Sequence, residues 1–174
     1  FGDNLDEPAR QVALKANLSE ADVSGLRALG VCINYNGYGP SLDDLHFHPN
    51  ELYAALYEAG HPGAFIDSDS FRQLSEGYSQ DVAASKALAP ALIQPGFAMY
   101  QLPNTAWARR VSGVFSNDLV RAHPARAHAV LTEQDDGAFL VSVRAPFHHR
   151  VGAEKVCAQF ETGGGRAAAA GINR

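Results

Sequence analysis

The chain has 174 residues, 46% of them hydrophobic and 19% charged, a globular composition with room for one sizeable core or for a small domain beside part of another. Its 19 acidic and 14 basic residues leave a net charge of −5, which argues against a general, non-specific nucleic-acid binder but leaves room for a local basic pocket. No apolar run approaches a membrane span and no signal-peptide pattern opens the chain, so a cytoplasmic protein with no membrane partner is expected.

In chain order, residues 5–16 read as a helix after "FGDN", with Pro8 in its first turn. "LSEADVSGLRALG" carries a capping-box pattern, Ser19 and Asp22, with Gly30 as terminator, and "VCIN" follows as a short strand. "HPNELYAALYEAG" reads as a helix opened by Pro49 and closed by Gly60, with Leu52, Ala55, Leu56 and Ala59 on one face. Phe71, Leu74, Tyr78 and Val82 make the stripe of a further helix, weakened by Gly77. "APALIQPG" brings two prolines and a glycine together and is the best boundary signal in the chain.

Beyond it, "FAMYQL" and "AHAVLT" read as strands around a helix in "RRVSGVFSNDLVRAH". "GAFLVSVRAP" alternates, with Phe139, Val141 and Val143 on one face and Leu140, Ser142 and Arg144 on the other. "VGAEKVCAQF" reads as a helix burying Val156, Cys157 and Phe160, and "AAAAGIN" as a small-residue strand or a helix start. Strands alternating with helices indicate an α/β domain. Cys32 and Cys157, far apart in apolar surroundings, read as buried free thiols.

Few residues suggest chemistry. Gly163, Gly164 and Gly165 permit close backbone approach and could aim amides at an anion, and Arg166 adds a forked, permanently charged donor suited to phosphate. The run is not a P-loop, since it lacks the Lys-Ser/Thr pair. Arg144, at a strand end, would complete a phosphate clamp. His46, His48, His148 and His149 lack zinc-binding spacing and read as loop residues, and Asp43, Asp44, Asp67 and Asp69 as cap and turn residues. Asp3 follows a strand-like end, where open α/β sheets place ligands and metals.

Together these pieces resemble the C-terminal part of the DHH phosphoesterase superfamily, which includes RecJ-type exonucleases, nano-RNases and exopolyphosphatase-like proteins. "FETGGGRAAAAG" is similar to the GGGH-x-x-A-A-G signature of its DHH-associated domain. "FLVSVRAP" is similar to the S-x-R-S strand before it, with Ser142 and Arg144 on the matching positions. "WARRVSGVFSNDLVRAHPARAHAVL" is similar to a RecJ-type helix and strand, so the likeness covers about residues 95–174. Upstream, "FGDNLDEPAR" is similar to a stretch whose aspartate serves a two-manganese centre, and "CINYNGYG" to the INA-x-GR stretch.

The resemblance implies metal-dependent hydrolysis of a phosphodiester or phosphoanhydride. Mn²⁺ or Mg²⁺ would be held partly by Asp3, and mostly by family D-x-D and D-H-H motifs that would lie before Phe1. It implies substrate contacts by Asn34, Asn36, Ser142, Arg144, Gly163–Gly165 and Arg166, and a nucleotide, short oligonucleotide or polyphosphate as substrate. It also implies the end of a catalytic domain over 1–66, a helical linker over 67–96 and an α/β substrate-binding domain, a mixed sheet flanked by helices, over 97–174. On this expectation the chain is the C-terminal portion of a phosphoesterase, inactive by itself; a homodimer is left open. Arg166 stands where the family has histidine, and unlike histidine it cannot titrate near pH 7. The alternative is a non-catalytic nucleotide- or oligonucleotide-binding module.

Overall fold

A computed structural model describes residues 1–2 and 5–173. The protein is α/β, with seven α-helices and a six-stranded mixed sheet among the described residues. It divides into two compact units, Phe1–Gln80 and Asp81–Arg174.

The first unit is helical. Helix α1 (Asp6–Lys15) begins where "DEP" supplies first-turn acids and proline. Helix α2 (Glu20–Tyr35) starts at the expected capping box: Ser19 accepts from the Asp22 amide, and the Asp22 carboxylate accepts from the Ser19 amide. It does not stop at Gly30 but runs through "VCIN", which is therefore helix and not strand. Gly30 sits there because the Phe1 backbone presses on it: a Cβ would lie 2.9 Å from the Phe1 carbonyl carbon.

Helix α3 (Pro49–Ala59) ends at Gly60, in the left-handed conformation with φ +66°. Its expected face, Leu52 with Ala55, Leu56 and Ala59, joins Leu29, Cys32, Phe65 and Leu74 in one core. A short α4 (Pro62–Ile66) and the long α5 (Asp69–Lys86) follow. Two of the histidines are helix caps: the His48 and His61 rings accept from the Asn50 and Gly63 amides. Asp67 caps the end of α4, and Asp69 pairs with Arg72 in the first turn of α5.

The second unit holds the sheet, formed by β1 (Leu92–Gln94), β2 (Phe97–Leu102), β3 (Ala127–Glu133), β4 (Phe139–Arg144), β5 (Gly163–Arg166) and β6 (Ala169–Asn173). Spatial order is β1-β2-β3-β4-β6-β5, with β2 and β3 parallel and the other pairs antiparallel. The parallel pair is joined by α6 (Ala106–Ala122), a helical crossover. Helix α6 packs Ala108, Phe115 and Leu119 on Ala98, Tyr100, Leu102 and Val130, a core in which each fully buried large side chain contributes about 1.5–3 kcal/mol.

On the opposite face lies α7 (Ala153–Cys157), whose Ala153 and Cys157 meet Ala145, Ala170, Ile172, Val141 and Val143. Val156 and Phe160 were expected to be buried, yet both are half exposed. A five-residue helix turns only one i, i+4 stripe to the sheet, and Ala153 and Cys157 fill it. Both cysteines are free and buried, and burial pushes the Cys32 thiol up to about 11.

Candidate phosphate-binding site

The pleat of β4 builds the site. Val141 and Val143 point to α7, so Ser142 and Arg144 point to the face that carries α6. Two rows of directly opposed residues cross the sheet there. One runs Ala98, His128, Arg144, Ala169, Arg166; the other runs Tyr100, Val130, Ser142, Gly171, Gly164. Helix α6 covers the β2 and β3 ends of these rows. Over β4, β6 and β5 the rows hold two arginines, a serine, an alanine and two glycines.

Arg144 and Arg166 thus face the same way with only the Ala169 methyl between them, about 10 Å apart at the backbone by strand spacing. The Arg144 guanidinium is fixed: Nε donates to Asn117 Oδ1 of α6 at 3.0 Å and Nη1 to Ser142 Oγ at 2.8 Å. Ser116 of α6 reaches Ser142 Oγ at 3.4 Å. These contacts leave Nη2 as the free end of the fork. Burial, and then the positive charge of Arg166, push the Arg144 pKa down from its ordinary value. Arg166 is exposed, and neither arginine has a carboxylate partner among the described residues. Two unpaired cations on one face, one of them largely buried, form a locus that an anion relieves.

The glycines form edge strand β5, and the Gly163 amide donates to the Phe160 carbonyl at 2.9 Å. Gly163 faces α7, where a Cβ would lie 1.8 Å from the Cys157 carbonyl oxygen. Gly165, with φ +144°, would bring a Cβ to 2.5 Å from Ala170 Cα. Two of the three glycines are therefore demanded by packing and backbone conformation. Gly164 differs: a Cβ there would meet nothing within 4 Å, so its small size leaves the floor of the Ser142 row open.

Asn34 and Asn36 belong to the first unit and are engaged within it. Asn34 Nδ2 donates to the Gly2 carbonyl at 3.0 Å and to the Tyr38 hydroxyl at 2.8 Å. Asn36 is buried, and its amide exchanges two hydrogen bonds with the Phe47 backbone. Asp3 lies outside the described residues. Among the described residues no group of three His, Cys, Asp or Glu gathers in metal-binding geometry.

Sequence reasoning missed three residues at this end of the sheet. His128 is fully buried in the Arg144 row, and burial, then the charges of His123 and Arg126, push its pKa down to about 4. Arg126 precedes β3 and Arg150 lies in the loop after β4, outside any periodic segment, so only the β3–β4 register and the hydrogen bond from the His148 amide to the Pro124 carbonyl bring their segments to the Arg144 end.

No family model matches the chain, and no curated protein matches it by sequence. Among solved structures it is similar to the pGpG-specific phosphodiesterase PggH of Vibrio cholerae, with a TM-score of 0.54 and 11% identity over 83% of this chain. The two share a fold. This chain spans half the length of that protein.

Proposed function

We propose that residues 97–174 hold the phosphate or nucleotide part of a substrate for hydrolysis of a phosphodiester or phosphoanhydride bond by a DHH-type phosphoesterase, residues 1–66 being the end of its catalytic domain and 67–96 a linker. The observation that carries this reading is the pair Arg144 and Arg166, facing the same way across one alanine with no carboxylate to neutralise them. The fold shared with a phosphodiesterase that acts on pGpG supports it.

In this reading Arg144, already held by Asn117 and Ser142, presents Nη2 to a phosphate oxygen at little further ordering cost. Arg166 closes on the same phosphate from the edge strand. Gly164, Gly171 and Ala169 keep the floor clear, so the anion can approach the backbone closely. Because arginine stays charged across the physiological range, its contribution does not fade above pH 7 as a histidine's would. When bound, Mn²⁺ or Mg²⁺ would supply the activated water; bond breaking is assigned to no described residue of this chain.

A second reading, a nucleotide-binding module without hydrolytic role, is favoured by Arg166 standing where the family signature has histidine. Calorimetric titration of the chain with pGpG, with and without Mn²⁺, tests both. Saturable binding weakened about tenfold or more by Arg144→Ala and by Arg166→Ala supports the clamp, and unchanged affinity refutes it. Turnover of pGpG by the chain with Mn²⁺ would eliminate the binding-module reading.

A further inference from the structure

Charge on the sheet strands and the loops that join them, though not on the helices, is polarised along the strands of the second unit. Residues 1–80 carry 12 acidic and 4 basic side chains, whereas residues 81–174 carry 7 and 10, so the mild overall charge conceals a basic half. Within that half, Glu133, Asp135 and Asp136 stand at one end of the sheet, on β3 and the turn into β4. Arg126, Arg144, Arg150 and Arg166 lie at the other end, and none has a carboxylate partner among the described residues. Elsewhere arginines are paired, as in Arg10–Glu20, Arg27–Asp6, Arg72–Asp69 and Arg110–Asp81.

One phosphate does not need four arginines, and Arg150 is occupied differently. Its guanidinium lies over the Phe147 ring, 5.5 Å from the centroid, while His148 meets that ring edge-on at 6.4 Å. Phe147 nevertheless remains 48% exposed. The loop that presents it is pinned. The amides of Ala145 and Ala153 at its two ends donate to Ala168 and Ala167, the residues that follow Arg166, each at 3.0 Å. The His148 amide donates to the Pro124 carbonyl at 3.1 Å, close to Arg126. Phe147 is three residues beyond Arg144, within about 10 Å along the chain.

We infer that Phe147, backed by Arg150, is a nucleobase platform: it stacks the base of the nucleotide whose phosphate lies between Arg144 and Arg166. This rests on the reading of that pair as a phosphate clamp. An oriented aromatic ring held against a guanidinium is suited to the π-face of any base, whereas a polyphosphate has no such face to offer. The platform therefore commits the site to nucleotides over inorganic polyphosphate, and it tolerates different bases because stacking reads no hydrogen-bond pattern.

Calorimetric titration of the full chain with pGpG and, separately, with tripolyphosphate tests this. Phe147→Ala, checked for unchanged circular dichroism, is expected to weaken pGpG about tenfold and leave tripolyphosphate unchanged, and Phe147→Trp is expected to keep pGpG affinity. Arg166→Ala is expected to weaken both ligands. If Phe147→Ala leaves pGpG unaltered, or weakens both ligands alike, the platform is overturned while the clamp stands. If Arg166→Ala alters neither ligand, or neither binds, the clamp fails and the platform with it.

Discussion

Strands β4 and β5 turn two unlike faces to their surroundings. On one, Val141 and Val143 pack against the residues of α7 and β6, and the backbones of Cys157 and Ala170 leave no room for a side chain at Gly163 and Gly165. On the other, the intervening residues Ser142, Arg144, Gly164 and Arg166 carry polarity, charge and open space. Residues adjacent in the chain are thus under different physical demands. The first set decides whether the edge of the sheet exists, and the second decides what it can hold.

Substitutions should separate the two faces. The largest effect is expected from Gly163→Ala, whose methyl would enter the space of the Cys157 carbonyl and displace α7, costing about 3 kcal/mol in denaturant unfolding. A comparable loss from Gly164→Ala would contradict the division. Acid comes next. With its folded pKa near 4 against an ordinary 6.5, His128 is neutral in the folded chain while the unfolded chain takes up a proton. Stability is therefore full above pH 6.5 and falls as pH drops towards 4, by about 2 kcal/mol between pH 8 and pH 5. His128→Leu should remove that dependence, and a pH profile identical to the wild type would refute the assignment.

Arg144→Met is expected to leave stability within about 1 kcal/mol, because it removes a buried cation beside Arg166, while weakening phosphate ligands about tenfold. A variant that unfolds readily yet still binds would reverse the roles of the two faces. The smallest effect is expected from Gly164→Ala: a stability gain of about 0.5 kcal/mol from reduced chain freedom, with weaker ligand binding as the methyl enters the open floor.

The comparison also explains what could be read from the sequence. The alternation of β4 assigned Val141 and Val143 to one face and Ser142 and Arg144 to the other because period-2 burial is local. The capping box at Ser19 and the αL stop at Gly60 were legible for the same reason. Gly30 was not: it reads as a helix end, and only the long-range approach of Phe1 shows why a mid-helix position lacks a side chain. "GGGR" suggests amides aimed at an anion, whereas its pairing with β6 makes it a strand in which Gly163 and Gly165 answer to Cys157 and Ala170. Likewise, Arg126, Phe147 and Arg150 lie in loops with no periodic signal, and their convergence depends on hydrogen bonds from Ala145, His148 and Ala153 to distant carbonyls.

The most direct test of the open face is a nuclear magnetic resonance titration of the ¹⁵N-labelled chain with pGpG, following backbone amides and arginine Nε–H groups. Saturable shifts are expected at Ser142, Arg144 Nε, Gly164 and Arg166, with Val141, Ala153 and Cys157 on the α7 face nearly still. Saturable shifts centred on the α7 face, or none at Arg144 and Arg166, would contradict the account.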